Sequence, residues 1–167
     1  AAGLGALSAA LYLASRSTVR GLGRVIVVAA SLFGAGLVAF ALSRTTWLSL
    51  GLLLVTGFGV MATTASINTV LQTIVDDDKR GRVMSLYTMA FMGMAPFGGL
   101  LAGTLASRIG APGTVLLGGV ATLATALAFA YRLPSLREDV LPIYRRLGII
   151  PEVATGLGTA TELRPRG

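Results

Sequence analysis

The chain contains no cysteine and no histidine among its 167 residues. Without cysteine it has no disulfide, no thiolate metal site and no cysteine nucleophile. Without histidine, and without an acid inside its long apolar runs, it lacks the ligand sets and general bases on which membrane-embedded enzymes depend. We therefore expect no enzymatic activity, no metal ion and no cofactor.

Charge is also missing from four long stretches. Residues 25–43, 47–75, 83–107 and 109–131 contain no Asp, Glu, Lys or Arg. About 20 apolar residues cross the hydrocarbon core of a bilayer, which is about 30 Å thick. One charge at the centre of such a helix costs roughly 2.5–3.5 kcal/mol. The sequence therefore predicts an all-α membrane protein, a polytopic bundle of transmembrane helices in contact with the lipid bilayer.

The ends of the chain differ from this bundle. Residues 1–15 are apolar but short, and the chain starts without Met or a basic leader, so we expect a partial helix that begins upstream and no signal peptide. With this partial helix, the four runs make a transmembrane unit over 1–131. Residues 132–167 are expected to form a cytoplasmic tail. Within that tail, apolar residues on one face of 136–147 predict a short amphipathic helix with a break at Pro142.

The positive charges predict the orientation. The net charge is +7, but the basic residues lie in the connections beside apolar runs, which is typical of membrane topology rather than of nucleic-acid binding. Ten Lys and Arg fall in 16–24, 76–82 and 132–146, against Arg44 and Arg108 in the alternate connections. The positive-inside rule places the rich side in the cytoplasm. This predicts a multi-pass protein of the cell membrane, such as a bacterial inner membrane.

Small residues recur at four-residue spacing in three of the runs. Helix association in lipid depends on close packing, so such stripes predict helix–helix contacts. The stripes are Ser31, Ala35, Ala39 and Ser43; Ala95, Gly99, Gly103 and Ser107; and Gly118, Thr122, Ala126 and Ala130.

The run 47–75 carries the most polar groups. Thr64, Asn68 and Gln72 are four residues apart and share one helical face. An amide without a partner is costly in hydrocarbon, so this face should look into the bundle or a wet cavity. Two interpretations stay open: hydrogen bonds between helices, or the lining of a substrate path.

The run 83–107 combines features of a bendable helix. Pro96 lacks an N–H and clashes with the carbonyl of Met92, which predicts a kink, and Gly93 lies close by. This pair is a candidate hinge, although both residue types are common in membrane helices. The methionines of this helix either fill the core or offer an adaptable surface to apolar ligands: Met84, Met89, Met92 and Met94.

The connection before this helix is a compact mixed-charge segment. Asp76, Asp77 and Asp78 precede Lys79, and Arg80 and Arg82 follow. Asp78 is expected to cap the next helix, and the two arginines to bridge to the acids or to another part of the protein in a gating role. The alternative is a solvated loop, since exposed ion pairs contribute only about 0–1 kcal/mol.

Residues 68–104 resemble the tenth and eleventh helices of major facilitator superfamily transporters. The similarity is closest to the branch of enterobactin-type exporters and related drug–proton antiporters. It rests on an Asn68-x-x-x-Gln72 helix end, the acids at 76–78, Arg80-Gly-Arg82-Val, and a helix with Gly93, Pro96, Gly98, Gly99 and Gly103. The stretch 15–24 keeps the arginines and glycines of the family's loop between helices eight and nine but lacks its Asp, so a charge relay there is not carried over.

The resemblance implies helices eight to twelve of a secondary active transporter that exports small amphiphilic molecules, siderophore-like or drug-like, by alternating access. Its partners would be the small-molecule substrate and the N-terminal half of the same transporter, which this chain lacks. Two alternatives are a small structural or assembly membrane protein and the membrane subunit of an ATP-driven transporter. The missing start of the first helix disfavours the former, and the short loops disfavour the latter.

Overall fold

The structure, a computed structural model that describes residues 1–15 and 21–146, consists of four α-helices in chain order. They are α1 (Ala2–Ala14), α2 (Leu22–Leu42), α3 (Thr46–Ile74) and α4 (Asp77–Arg146). Three segments are long and apolar enough to cross a membrane: Leu22–Leu42, Thr46–Ile74 and Asp77–Leu136. No strand occurs in the described ranges. The predicted all-α membrane bundle is confirmed.

Two glycines with positive φ produce the sharpest backbone changes. Gly21 (φ 81°) precedes α2, and Gly110 (φ 78°, ψ 163°) interrupts α4. A residue with a Cβ rarely adopts this conformation, so glycine is suited to both positions. Pro112 lies two residues after the second break, near the start of a helix, where its missing N–H costs nothing. Gly110 therefore divides α4 into a first arm (77–109) and a second arm (111–146).

α2 and α3 pack antiparallel through small residues. Gly59 of α3 lies against Ala29 and Phe33 of α2. Towards the other end of the pair, Gly36 of α2 lies against Thr56. From one contact to the next, the residue number increases along α2 and decreases along α3, so the two helices run in opposite directions. A short link joins them, and Ser49 Oγ of α3 donates to Ser43 Oγ of the link at 3.0 Å.

The second arm of α4 covers another side of α2, also antiparallel. Gly119 lies against Val38 and Gly34, and Leu133 reaches Gly23 near the start of α2. The second arm therefore runs parallel to α3, and α2 lies between the two. The short helix α1 packs on α3, and its Ala9 meets Ala29 and Ala62 in a buried cluster.

The close contacts place backbone against backbone. A Cβ built on Gly59 would lie 2.8 Å from the Ala29 carbonyl oxygen and 2.8 Å from the Phe33 nitrogen. A Cβ on Gly119 would lie 2.9 Å from the Val38 nitrogen. Such approach is how helices associate in lipid, where no hydrophobic force acts between them.

Large apolar side chains point outward instead of filling the core. Val28, Leu54 and Leu127 are each more than 40% exposed, whereas the fully buried positions are occupied by alanine and serine. A water-soluble domain buries its large aliphatic residues. The inverted arrangement agrees with a bundle that is solvated by lipid.

The predicted small-residue stripes are partly right. Ala126 is buried as expected, but Gly118 is exposed, and its neighbour Gly119 makes the contact with α2. On α2 the close contacts come from Gly34 and Gly36, and Ala35 between them is exposed. On α2 and the second arm, four-residue spacing pointed to helices that pack but displaced the contact face by one residue.

The first arm of α4 stands largely free of the other helices. Side chains 88–104 are exposed throughout, and nothing in the described chain lies within 4 Å of a Cβ built on Gly99 or Gly103. The stripe from Ala95 to Ser107 therefore has no packing partner among these residues. Its surface is open to lipid or to another part of a larger protein.

The described basic residues separate between the two ends of the bundle. The start of α2, the α3–α4 link and the end of the second arm share one end, which we call the basic end. It carries Arg24, Lys79, Arg80, Arg82 and Arg132, whereas Arg44 and Arg108 lie at the opposite end. The alternation read from the sequence therefore corresponds to two faces of one bundle.

The end of α4 lies beyond the predicted last span. The helix continues without a break past residue 131 and through Pro142 to Arg146, so the segment expected as a separate amphipathic helix is continuous with the span. Residues 147–167, the rest of the expected tail, lie outside the described residues.

Gly59→Ala tests the backbone contact between α2 and α3. The added methyl group meets backbone atoms that cannot rotate away, and overpacking of this kind costs about 1–3 kcal/mol. We expect this loss in spite of the gain in helix propensity of about 1 kcal/mol. Thermal unfolding of the purified protein measures it.

Gly51→Ala in the same helix is the matched control. In the described part of the chain its added methyl group would meet no atom within 4 Å beyond its own helical turn, so the gain in propensity should remain and stability should stay level or rise. Equal melting temperatures for the two variants would contradict the packing described here.

Candidate functional site

Thr64, Asn68 and Gln72, which we call the polar face of α3, lie away from the neighbouring helices. The packed face of α3 carries Ala62 and Ser66, both fully buried. Asn68 follows Ser66 by two residues, which is about 200° of rotation at 3.6 residues per turn. Thr64 and Asn68 are half-buried and Gln72 is exposed. The three residues share one helical face, as the sequence predicts, and that face points away from the packed face of α3.

The two amides of the polar face bond to each other along the helix. Gln72 Nε2 donates to Asn68 Oδ1. One turn earlier, Thr64 Oγ1 donates to the Val60 carbonyl at 2.8 Å. Within the described ranges, neither amide bonds to another helix. The arrangement leaves the Asn68 amide nitrogen and the Gln72 carbonyl oxygen to face outward, and these groups suit a polar ligand or water.

The packed face contains a polar group that sequence reasoning missed. Ser66 is fully buried, and in the described part of the chain its Oγ has no hydrogen-bond partner. Serine is small enough for close helix contact, which explains its place beside Ala62. The four-residue spacing between Ala62 and Ser66 was the sequence signal that Ser66 lies on the packed face.

Two ion pairs organise the link from α3 to α4. Arg80 Nη1 lies 2.6 Å from Asp77 Oδ1, and Lys79 Nζ lies 3.8 Å from Asp76 Oδ2. Both pairs are solvent-exposed, so each contributes only about 0–1 kcal/mol. Arg82 makes no ion pair with a described residue. The sequence expectation that arginines bridge to these acids holds for Arg80.

Asp78 does not occupy the capping position expected from the sequence. α4 begins at Asp77, and the Lys79 N–H bonds to the Asp76 carbonyl at 3.0 Å, so Asp76 stands at the helix boundary. Asp78 lies inside the first turn together with Asp77. There its negative charge complements the positive end of the helix dipole.

Arg80 also closes the end of α3. Its Nε donates to the Gln72 carbonyl at 3.1 Å, and its Nη2 donates to the Val75 carbonyl at 3.5 Å. The last carbonyls of a helix lack intrahelical partners, and a guanidinium suits them in geometry and charge. The Arg80 side chain thus connects the start of α4 to the last carbonyls of α3, including that of Gln72. The pattern of a basic residue shortly after a helix end was the sequence signal for this role.

The candidate hinge lies within a regular helix in this structure. Helical dihedral angles continue through Gly93 and Pro96, and the non-helical angles of α4 occur at Gly110. Both hinge residues are exposed, and no Cβ contact lies near Gly93. A bend at Pro96 during function stays a prediction.

The described residues contain no group of three or more His, Cys, Asp or Glu side chains able to hold a metal ion. The acids at 76–78 are exposed and partly paired with Lys79 and Arg80. The chemistry available at this end of α3 is therefore amide hydrogen bonding and charge pairing.

Arg80→Gln tests the joint between α3 and α4. Loss of the ion pair and of the contacts to two carbonyls should cost about 1 kcal/mol of local stability, which is roughly a fivefold faster amide exchange. Hydrogen exchange followed by mass spectrometry over residues 70–80 measures this change.

Arg82→Gln, two residues further on, is its matched control. It removes the same charge without a described contact, so local exchange should keep its original rate. Faster exchange of equal size in both variants would show that net charge, and not the contacts of Arg80, holds the joint.

One known protein family matches this chain. A family model described as transmembrane secretion effector matches residues 1–155, which is most of the chain. No curated protein and no solved structure matches the chain. The match covers all four helices, including the polar face and the α3–α4 link. The chain therefore belongs to the MFS_3 family, the transmembrane secretion effectors among membrane transporters of the major facilitator type.

Proposed function

We propose that this chain forms one wall of a secondary active transporter that exports small amphiphilic molecules by alternating access. The family assigns a role in transport or efflux. The substrate class and the mechanism are our proposal, and so is the nearer kinship with enterobactin-type exporters and drug–proton antiporters. Within major facilitator folds the substrate site lies near the midplane between two halves that rock against each other.

The polar face of α3 is the observation that carries this proposal. A membrane helix exposes amides to lipid only at high cost. Asn68 and Gln72 nevertheless lie opposite the packed face of α3 and bond only to each other among the described residues. A wet substrate path beside α3 accounts for this arrangement. An interhelical hydrogen bond would need a helix from outside the described chain.

The exposed methionines support an amphiphilic substrate. Met89, Met92 and Met94 of the first arm are each at least 66% exposed, so none of them fills a core in the described chain. Flexible thioethers adapt to varied apolar surfaces. An apolar, adaptable wall together with an amide face would suit molecules that carry both kinds of surface.

The open first arm supports a second half as the partner. Its small residues Ala95, Gly99 and Gly103 have the spacing of a packing stripe, yet the described helices leave them uncovered. We propose that the N-terminal half of the same transporter covers this arm, and that Gly93 and Pro96 let it bend as the halves rock. Arg82 and Asp78, unpaired among the described residues, would then be available to pair with that half.

The basic end of the bundle supports the proposed orientation. Among the basic residues whose side chains the structure describes, five lie at one end and two at the other, and this positive-inside pattern supports a cytoplasmic basic end. We propose the inner membrane of a bacterium as the location. The family match disfavours a purely structural membrane protein and a subunit of an ATP-driven transporter.

Asn68→Ala separates a substrate path from structural support. The Asn68 side chain bonds within its own helix, so we expect the melting temperature of the full-length transporter to hold. The loss should stay below the roughly 0.6 kcal/mol that an average interhelical hydrogen bond contributes. Transport rate or substrate profile should change, as measured by vesicle efflux assays with several amphiphilic dyes.

Thr69→Ala is the control for this experiment. The Thr69 hydroxyl lies in the same turn, is exposed and, among the described residues, donates only to the Ala65 carbonyl at 2.9 Å. Loss of this hydroxyl should leave both the melting temperature and the transport activity unchanged. A drop in stability with normal transport per folded Asn68→Ala molecule would instead assign the amide to helix–helix support and would remove this residue from the path.

Single-cysteine labelling tests the orientation. The chain has no cysteine, so Ser135→Cys at the basic end and Thr45→Cys at the opposite end can be labelled one at a time in a cysteine-free protein. An impermeant maleimide added to intact cells should label Thr45→Cys alone. It should reach Ser135→Cys, and also Ser17→Cys, only after the membrane is opened. Labelling of the last two in intact cells would reverse the assignment.

A further inference from the structure

A groove opens on the side of the bundle where α1, α2 and α3 meet. It encloses about 410 Å³, within the range of small-molecule sites. Its walls come from α1 and α2, and Phe58 of α3 lies at its base against Tyr12, with ring centroids 6.1 Å apart. Its described lining includes Tyr12, Gly21, Arg24, Val28, Leu32 and Phe58. The polar face of α3 takes no part in it.

The groove is apolar along its length and positive at one end. Among the lining residues that the structure describes, Arg24 is the one charged residue and none is acidic. Arg24 lies in the first turn of α2, whose capping residue, Gly21, has no side chain to offer the first amides. The positive end of the α2 dipole therefore adds to the charge of the guanidinium. This end of the groove is complementary to an anion.

The groove opens along the flank of a membrane-spanning helix. Val28 and Leu32 are 58% and 40% exposed although they belong to a membrane-spanning helix. Arg24, Val28 and Leu32 are spaced by four residues on one face of α2, and they extend about 12 Å into the span at 1.5 Å per residue. A cation at the end of the span with an apolar channel below it matches the shape of a lipid: an anionic headgroup and an acyl chain.

We propose that this groove, the Arg24 groove, binds an anionic phospholipid. The phosphate would accept hydrogen bonds from the Arg24 guanidinium, for which phosphate is a preferred partner. One acyl chain would lie over Val28 and Leu32 and reach Phe58. The lipid is a structural ligand at the side of the bundle, so the proposal stands apart from the substrate path on α3.

Lipid-dependent thermal stability of the full-length protein gives the first test. Dioleoylphosphatidylglycerol, added to purified protein in detergent, should raise the melting temperature above that in dioleoylphosphatidylcholine by about 3–5 °C. Arg24→Gln should lose this difference and keep the melting temperature of the original protein in phosphatidylcholine. Arg44→Gln, which removes a charge at the opposite end of α2, should keep the difference.

Crosslinking locates the lipid and does not depend on the stability of Arg24→Gln. A benzophenone amino acid at Val28, in vesicles with equal amounts of the two lipids, should crosslink phosphatidylglycerol about threefold in excess. The same probe at Leu117, 53% exposed on the second arm and outside the groove, should report the bulk ratio.

Several outcomes would overturn the proposal. One is equal loss of the phosphatidylglycerol effect in Arg24→Gln and Arg44→Gln, which would mean general charge attraction. Another is the same protection by inorganic phosphate alone, which would mean a simple anion site. A third is a probe at Val28 that crosslinks another segment of the protein and no lipid, which would mean that protein covers the groove.

Discussion

Close contact between helix backbones is the constraint on which this bundle depends. Lipid tails are as apolar as leucine, so burying large side chains between helices gains little in a membrane. The helices instead approach until the carbonyl of Ala29 and the backbone of Phe33 lie against Gly59, where no side chain fits. Gly34 and Gly119 repeat this arrangement between α2 and the second arm of α4. α2 thereby holds α3 and the second arm on two of its sides.

This arrangement decides where functional groups are placed. Because the small residues of α3 turn towards α1 and α2, its amides turn to the opposite side, where the described helices leave Asn68 half-buried and Gln72 exposed. Because the second arm packs on α2, the first arm is left outside with its methionines exposed. The two open surfaces belong to consecutive segments joined by a short link, and Arg80 holds that link through two carbonyls and Asp77. Packing on one side of the bundle thus leaves the candidate transport surfaces on the other.

Two arginines at the basic end of the bundle, Arg80 and Arg24, have different surroundings. At the α3–α4 link, Arg80 satisfies backbone carbonyls and one acid, all of them exposed. At the start of α2, Arg24 lies at the rim of a groove whose other described lining residues carry no charge. The two arginines are equivalent in a count of basic residues per loop. They differ in their surroundings: Arg80 reaches the carbonyl end of α3 and the Asp77 carboxylate, whereas Arg24 lies in the first turn of α2 beside apolar groove residues.

The sequence by itself determined the fold class, the helical segments, the alternation of basic residues and the common face of Thr64, Asn68 and Gln72. Each of these features depends on local composition or on the helical period. None of them requires knowing which helices pack together. Only the tertiary structure decided that Gly119 and not Gly118 makes the contact with α2, that Asp76 and not Asp78 stands at the boundary of α4, and that the stripe around Gly99 has no described partner. These outcomes depend on which helix lies alongside and at what rotation. A shift of one residue turns a side chain by about 100°, and four-residue spacing alone does not specify it.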